Sequence, residues 1–252
     1  MPRYRLTLEY DGAPFVGWQR QDNGPSVQQA VEEALGRLTG AAVTVVGAGR
    51  TDAGVHALGQ VAHVDLPRPF PGATIRDAVN FHLRPAPVSI LDAAEVDDEF
   101  HARFSARRRR YLYRIVNRPA PLAIDTGRAW WVRSPLDGAA MGAAARLLIG
   151  HHDFSSFRSS LCQAASPVKT LDSLTVETDG EMIRIAATAR SFLHNQVRII
   201  VGSLKRVGDG GWPVERIGEA LAACDRRAAG PTAPACGLYL MGVDYPDTSA
   251  AG

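Results

Sequence analysis

The regular exchange of two-residue and helical periodicity is the feature that most constrains how this chain can fold. Residues 4–10 alternate apolar with polar side chains, which is the pattern of a half-buried strand. Ser26 and Gln29 form a capping box, and residues 27–38 repeat apolar side chains at helical spacing. Further strands are expected at 43–46, 60–66 and 88–95, and a second helix at 75–83. The order strand, helix, strand, strand, helix, strand predicts a sheet with two helices packed against it.

The second half of the chain shows a similar order of elements without a repeated sequence. Strands are expected at 111–115, 168–178, 182–189 and 238–245, and helices at 136–148, 197–207 and 214–223. We expect a boundary near Ser105. It would separate an N-terminal α/β domain (1–105) from a C-terminal α/β domain (106–246), with a loose tail at 247–252.

The charge distribution points to an anionic partner. The formal net charge is +2, yet residues 101–120 contain seven arginines and no acidic residue. A basic block in a nearly neutral protein favours binding of a polyanion, with nucleic acid as the first candidate. A solvated surface segment is the alternative interpretation of the same block.

Other classes of protein have weaker support in the sequence. The three cysteines, Cys162, Cys224 and Cys236, have no metal-ligand spacing, and their odd number argues against a disulfide framework. The histidines form no pair at helical spacing, so no metal is expected. No segment has transmembrane length, and the N-terminus enters a strand pattern directly. We therefore expect a reduced, cytoplasmic protein that does not contact membranes.

The glycine-rich segment 47–57 is the candidate catalytic loop. Gly47, Gly49 and Gly54 surround Arg50 and Asp52, directly after a strand-like segment. Glycines allow another molecule to approach the backbone closely, and loops held by a sheet often carry catalytic groups. A neighbouring arginine favours the ionised carboxylate that a nucleophile or base requires. On the local pattern alone, such an Arg/Asp pair is more often a structural ion pair than a catalytic one, and the segment lacks the features of a phosphate-binding loop.

The second half contains further candidates. Tyr111 and Tyr113 are two residues apart on one strand face, next to the basic block, where a tyrosine can stack on a nucleic-acid base. A core position is the alternative for each. His194, Arg198 and Lys205 lie beside the apolar stripe of the expected helix at 197–207. A basic helix flank of this kind is commonly only solvated.

Short motifs spread over nearly the whole chain resemble those of the tRNA pseudouridine synthase A family. They occur in the family's order, which is harder to obtain by chance than any single match. The motifs are Tyr10-Asp11-Gly12, Gly17-Trp18-Gln19-Arg20-Gln21, residues 49–57 with Gln60-Val61, Phe100-His101-Ala102-Arg103, Arg110-Tyr111-Leu112-Tyr113, His152-Asp153-Phe154, residues 191–198 and Gly237-Leu238-Tyr239-Leu240.

The resemblance implies an α+β protein with the pseudouridine synthase fold. In that fold two α/β domains share a mostly antiparallel sheet with a central cleft. It also implies an isomerase that converts uridine to pseudouridine at positions 38, 39 and 40 of the tRNA anticodon stem-loop. The family acts as a homodimer whose basic surface holds tRNA, and it uses no cofactor.

The same resemblance assigns roles to individual residues. Asp52 corresponds to the essential carboxylate, the nucleophile, and Arg50 to a neighbour that helps to open and hold the RNA. Tyr111 corresponds to the tyrosine that stacks on the target uracil, and Arg198 to the cation that pairs with the aspartate. This chain has Gln196 where many relatives have methionine.

The chemistry is compatible with these roles. Breaking the N1–C1′ bond builds positive charge on the ribose, which a carboxylate stabilises, and the target nucleotide must first leave its stack. Attack on C1′, attack on C6 and removal of a sugar proton all remain open for Asp52. The expected contacts to the RNA backbone are Arg103, Arg107, Arg108, Arg109 and Arg110.

Two other functions remain possible from the sequence. One is a non-catalytic RNA-binding protein, which would be expected to lack Asp52, Tyr111 or Arg198. The other is an Asp-dependent nucleoside or RNA hydrolase. A hydrolase normally needs a second carboxylate, and the nearest one downstream of the loop is Asp65, at the end of a strand.

Overall fold

The structure is a computed structural model that describes residues 1–246 and divides into two compact units. The first unit contains residues 1–107 together with the chain from Tyr239 onward, and the second contains Arg108–Leu238. The observed division between Arg107 and Arg108 lies close to the boundary expected near Ser105. The segment expected to be a loose tail, 247–252, lies outside the described residues.

The helices and strands of the first unit follow the expected order. In chain order they are β1 (Arg3–Tyr10), α1 (Val27–Thr39), β2 (Val46–Gly47), β3 (His56–Asp65), α2 (Gly72–Leu83) and β4 (Val88–Val96). The second unit contains β5 (Arg108–Asn117), β6 (Trp130–Val132), α3 (Gly138–Arg146), β7 (Gly150–Asp153), β8 (Val168–Asp179), β9 (Met182–Ala189), α4 (Gln196–Gly208) and α5 (Arg216–Ala222). A last strand, β10 (Leu238–Asp244), closes the described chain.

The sheet of the first unit is built around β1 and β3. β1 pairs antiparallel with both β3 and β4, and β2 pairs antiparallel with β3. Tyr4, Leu6, Leu8 and Tyr10 are all buried, as the alternation predicted. The Ser26 side chain accepts a hydrogen bond from the Gln29 N–H at the start of α1, which confirms the predicted cap.

Strand β3 begins four residues earlier than the sequence indicated, at His56 rather than Gln60. It is buried along nearly its whole length, so its side chains show no alternation that would reveal the start. Its early residues pair with the last strand, through Tyr239 opposite His56 and Leu240 opposite Ala57, in parallel register.

This pairing places the closing strand in the first unit, whereas we expected it in the C-terminal domain. A local pattern shows that a segment is a strand but does not select its partner. Gly59 makes the approach possible, because a Cβ at this position would lie 2.6 Å from the Met241 carbonyl oxygen.

Buried and partly buried polar side chains hold the chain that leads into the basic block of arginines at residues 101–120, hereafter the arginine block. The Arg3 guanidinium donates two hydrogen bonds to the Asp65 carboxylate, at 2.7 and 2.8 Å. His63 Nδ1 accepts the Ala102 N–H at 3.1 Å, and the Tyr245 hydroxyl donates to the Ala102 carbonyl at 2.6 Å. Burial lowers the pKa of His63 to about 4, so the ring is neutral near pH 7 and able to accept this bond.

The strands within the second unit pair mostly antiparallel. β9 pairs with β5 and β8, β7 pairs with β8, and the short β6 runs parallel to β5. The sequence did not indicate β6 or β7, which contain three and four residues and are too short to show a period. Mostly antiparallel strand pairing, together with helices in both units, confirms the α+β class. None of the helices within residues 1–246 is long and apolar enough to cross a membrane.

The close contact between β3 and the closing strand can be tested by adding one methyl group. Gly59→Ala should destabilise the protein by about 1–3 kcal/mol, because its Cβ would overlap the Met241 carbonyl. Gly36→Ala, inside α1, is the matched control. Its Cβ would lie 3.5 Å from the Ala41 carbonyl oxygen, which is an ordinary van der Waals distance. It should stabilise by about 0.5–1 kcal/mol. Urea unfolding measures both, and equal stability of Gly59→Ala and wild type would contradict the observed spacing.

Candidate active site

Within the candidate catalytic segment 47–57, residues 48–55 form the loop that connects β2 to β3, which we call the Asp52 loop. The backbone of this loop is hydrogen-bonded to a neighbouring segment. Asp52 forms an isolated antiparallel bridge with Gly17, and the Trp18 N–H donates to the Thr51 carbonyl at 3.0 Å. Gly54 has φ +76°, so the turn after Asp52 uses the left-handed region that favours glycine. The loop therefore has some of the backbone hydrogen bonding of a strand.

Close packing explains the glycines of this region. Gly17 has φ +117°, and a Cβ on it would lie 2.6 Å from the Thr51 carbonyl oxygen. A Cβ on Gly47 would lie 2.6 Å from the ring of Trp18, which is 2% exposed. The motif that begins at Gly17 therefore forms the surface against which the Asp52 loop packs.

Two buried polar side chains hold the loop from below. The Gln60 Nε2 donates to the Gly49 carbonyl at 2.9 Å, and the Tyr10 hydroxyl lies 2.8 Å from Thr51 Oγ1. Gln60 is 0% exposed, and Tyr10 is 5% exposed. These bonds restrain the backbone on both sides of Arg50, because Gly49 precedes it and Thr51 follows it.

The end of the loop is held by His56. Its Nδ1 accepts the Gly12 N–H at 3.1 Å, and its ring stacks on Tyr239 with a centroid distance of 4.8 Å. A Cβ on Gly12 would lie 2.0 Å from the Val55 carbonyl oxygen. The Tyr10-Asp11-Gly12 motif therefore supports the same loop as the motif that begins at Gly17.

Arg50 does not form the expected ion pair with Asp52. Its side chain is exposed, and its Nε donates to Gln19 Oε1 at 3.1 Å. Among the described residues 1–246, Gln19 is the hydrogen-bond partner of the Arg50 side chain. Asp52 is partly buried. A spacing of two residues permits the pair but does not require it, since Gln19 provides a competing acceptor.

The strand pattern alone does not distinguish Tyr111 from Tyr113, but the two tyrosines have different environments in the second unit. Tyr113 is in the core, where its hydroxyl donates to the Pro234 carbonyl at 2.8 Å, and burial raises its pKa above the usual value. Tyr111 is partly buried and packs edge-on against Phe192, with a centroid distance of 5.1 Å and an interplanar angle of 87°. Of the two, Tyr111 is the one that is not fully buried.

Arg198 lies in the first turn of α4, and two hydrogen bonds orient its guanidinium. Its Nε donates to the Ala233 carbonyl at 2.8 Å, and its Nη1 donates to Asn195 Oδ1 at 2.9 Å. Asn195 has φ 62°, a left-handed conformation that asparagine tolerates better than most residues. The segment 191–198 thus carries Arg198 and also contacts Tyr111 through Phe192.

Gln196 has a specific packing role at the start of α4. It is 1% exposed, its Oε1 accepts the Leu193 N–H at 2.8 Å, and its own N–H donates to the Leu193 carbonyl at 3.0 Å. This reciprocal pair stabilises the turn that precedes Arg198. A methionine at this position could not accept the backbone N–H as strongly.

The arginines of the block differ in exposure, because successive side chains of β5 point to opposite faces of the sheet. Arg109 is 8% exposed and its guanidinium donates to the Arg190 carbonyl, so this side chain is not presented to a large anionic partner. Arg108 lies 4.0 Å from Asp172, at a distance that makes only a weak exposed ion pair. The other block residues predicted to contact RNA are exposed, namely Arg103, Arg107 and Arg110.

Within the described part of the chain, no group of three or more His, Cys, Asp or Glu side chains is placed to hold a metal ion. The three cysteines are free thiols.

Sequence reasoning missed several residues that shape these sites, among them Gln60, Phe192 and Asn195. The signal for Gln60 was present, since a glutamine inside the buried segment 60–66 must find hydrogen-bond partners. Phe192 and Asn195 lie within the motif 191–198, but their contacts could not be predicted, because these depend on segments distant in sequence or on one left-handed residue.

Comparison with known proteins finds relatives that match over the whole length. The family described as tRNA pseudouridine synthase matches residues 7–105 and 144–246. A tRNA pseudouridine synthase A from Paramagnetospirillum magneticum is 62% identical over 252 residues, covering 100% of this chain and 97% of the relative. Proteins of the same name from Rhodospirillum rubrum and Parvibaculum lavamentivorans are each 60% identical, covering 100% and 97% of this chain and 90% and 100% of the relatives.

The restraint of the Asp52 loop by Gln60 can be measured without an activity assay. Gln60→Leu removes the bond to the Gly49 carbonyl and should increase deuterium exchange in residues 48–55. Gln21→Leu is the control, because Gln21 is exposed and its side chain donates to the Val16 carbonyl rather than to the Asp52 loop. Equal exchange in the loop of Gln60→Leu and of wild type would show that Gln60 does not restrain it.

Proposed function

Because the chain belongs to the tRNA pseudouridine synthase family, we propose that it converts uridine to pseudouridine at positions 38, 39 and 40 of the tRNA anticodon stem-loop. That it is an isomerase of tRNA uridines follows from the family. The observation that carries the more specific proposal is identity of 62% over 252 residues to a tRNA pseudouridine synthase A. The choice of arm and positions is supported by the resemblance of the motifs to that family.

We propose Asp52 as the catalytic nucleophile. The reaction breaks the N1–C1′ bond and rejoins the base through C5, and a carboxylate stabilises the charge that develops on the ribose. Catalysis of this kind requires the carboxylate to be held in a narrow range of positions. The support is the anchoring of the Asp52 loop, where Trp18 and Gln60 bond the carbonyls of Thr51 and Gly49.

Tyr111 and Arg198 complete the proposed set of reacting groups. The Tyr111 ring, held edge-on by Phe192, would stack on the uracil and retain it after the glycosidic bond breaks. A flat ring restrains the base without preventing rotation in its own plane, which the reaction needs. Arg198 would pair with Asp52, and its fixed bonds to Asn195 and Ala233 limit the entropy lost on pairing.

We propose that exposed arginines of the block contact the RNA backbone and offset the cost of unstacking the target nucleotide. Arg50 would contribute at the catalytic loop. Arg109 is omitted because its guanidinium is engaged within the protein. The proposed backbone contacts are Arg103, Arg107, Arg108 and Arg110.

The remaining features of the proposal follow from the chemistry and from the family. Isomerisation exchanges no electrons with an acceptor and transfers no external group, so we expect no cofactor. We also propose a cytoplasmic homodimer, on the basis of the resemblance alone.

The test of function is to incubate the protein with unmodified tRNA transcripts and to map pseudouridine by position. Product at positions 38, 39 and 40 is expected from wild type, and none from Asp52→Asn, although the variant should still bind tRNA. Asp22→Asn, an exposed loop carboxylate in the same unit, is the matched control and should retain activity. Full activity of Asp52→Asn would exclude Asp52 from the mechanism. Release of free uracil would indicate a hydrolase instead, and binding without any product would indicate an RNA-binding protein.

The arginine block can be tested by salt dependence. Arg107→Ala combined with Arg108→Ala should weaken tRNA binding and reduce the slope of log K against log salt by roughly 1.4 to 1.8, as two lost phosphate contacts require. Arg76→Ala combined with Arg227→Ala removes the same charge from two exposed arginines that pair with Asp77 and Asp225. An equal effect of both double variants would show that net charge, not the block, determines binding.

A further inference from the structure

A continuous series of side-chain hydrogen bonds runs from Arg50 to helix α1. Arg50 Nε donates to Gln19 Oε1 at 3.1 Å, and Gln19 Nε2 donates to Gln28 Oε1 at 2.7 Å. Gln28 Nε2 then donates to Glu32 Oε1 at 2.9 Å. All four residues belong to the first unit. Each amide accepts from one neighbour in the series and donates to the next.

The direction of the series is determined at its inner end. The Glu32 carboxylate can only accept, and its Oε1 also accepts the Val45 N–H at 3.0 Å. Gln28 Nε2 donates to the Val45 carbonyl at 3.0 Å, and Gln28 Oε1 accepts the Arg20 N–H at 3.0 Å. Reversing the Gln28 amide would place its oxygen against two acceptors and its NH2 group against a donor. The Gln28 amide therefore has one allowed orientation.

This orientation is transmitted to Arg50. Because Gln28 presents its oxygen, Gln19 must present its NH2 group inward and its oxygen outward, where the arginine donates to it. Gln28 is 7% exposed, so water competes little for these bonds. Within the part of the chain that the structure describes, the Nη atoms of Arg50 make no hydrogen bond. The guanidinium is therefore held through Nε and keeps its terminal donors for a ligand.

We propose that Gln28 is a positioning residue for the isomerisation, acting on Arg50 through the amide of Gln19. Held in this way, the arginine directs its two Nη groups at phosphate oxygens beside the target uridine. The inference rests on the proposed function, in which Arg50 contacts the RNA next to Asp52. It adds a residue of α1 whose side chain is connected to Arg50 through the side chain of Gln19.

The test uses two neighbouring glutamines on α1. Gln28→Met keeps the side-chain length and removes both the donor and the acceptor of the amide. Gln19 then no longer holds its oxygen towards the charged Arg50, and the loss of that hydrogen bond should lower kcat/KM for pseudouridine formation about tenfold. Gln29→Met is the matched control, because Gln29 donates to Glu33 at the same 2.9 Å but is not connected to Arg50. It should leave kcat/KM unchanged.

A double-mutant cycle separates positioning from a general structural effect. In an Arg50→Ala background, Gln28→Met should cause no further loss of kcat/KM, since the residue through which it acts is absent. An undiminished tenfold loss in that background would overturn the proposal. If Gln28→Met lowers the unfolding midpoint too far for assay, Gln19→Leu serves in the same cycle, because it interrupts the series while Gln28 keeps its bonds to α1 and to Val45.

A rescue variant tests the role of amide direction itself. Gln19→Glu presents an acceptor to Arg50 whichever way it turns, so it no longer needs Gln28 to orient it. The double variant Gln19→Glu/Gln28→Met should therefore recover most of the kcat/KM that Gln28→Met loses. Failure to recover, with Arg50→Ala itself impaired, would contradict the proposal.

One readout is independent of catalysis. The Arg50 Nε–Hε signal in a 15N-correlated NMR spectrum should show slow solvent exchange in wild type and in Gln29→Met, and fast exchange in Gln28→Met and Gln19→Leu. Slow exchange of the Arg50 Hε in all four proteins would overturn the proposed series of hydrogen bonds, here called the relay, even if the enzyme is active. Slow exchange only in wild type and Gln29→Met, without pseudouridine formation by wild type, would instead contradict the proposed function and leave the relay intact.

Discussion

The hydrogen bonds to the carbonyls of Gly49 and Thr51 are the constraint on which the first unit's chemistry depends. A glycine-rich loop has high conformational entropy, and a carboxylate on an unrestrained loop would sample many positions. Here the Trp18 N–H and the Gln60 amide bond the two carbonyls that flank Arg50, and Gly17 bridges to Asp52. The buried partners therefore remove the flexibility that the loop's glycines would otherwise cause.

The second unit uses the same physical solution for different side chains. Asn195 and the Ala233 carbonyl orient the Arg198 guanidinium, and Phe192 restrains the ring of Tyr111. In each case a group that we propose acts on the substrate is held by neighbours that would not contact it. Because those neighbours form their contacts before any substrate binds, less entropy has to be lost at the moment of reaction. The relay from Glu32 to Arg50 extends this arrangement into the first helix of the chain.

Much of the fold could be predicted because strong local patterns agree with it. The predictions of the alternating strand β1 and of the Ser26 cap of α1 are confirmed, since each depends on residues close together in sequence. Strands β6 and β7 were not predicted, because segments of three and four residues show no period. The early start of β3 was missed because burial on both faces removes the alternation. The arginine block was recognised as basic, but the inward direction of Arg109 depends on which face of β5 is covered.

The sequence by itself determined the family, the glycine-rich loop with its single carboxylate and the basic block, because each is a property of residue type and order. Only the tertiary structure decided that Arg50 bonds to Gln19 rather than Asp52, that Tyr113 is in the core while Tyr111 is partly exposed, and that the closing strand pairs with β3. These outcomes depend on competition among partners distant in the chain. Local spacing makes several of them possible, and packing and hydrogen-bond satisfaction select one.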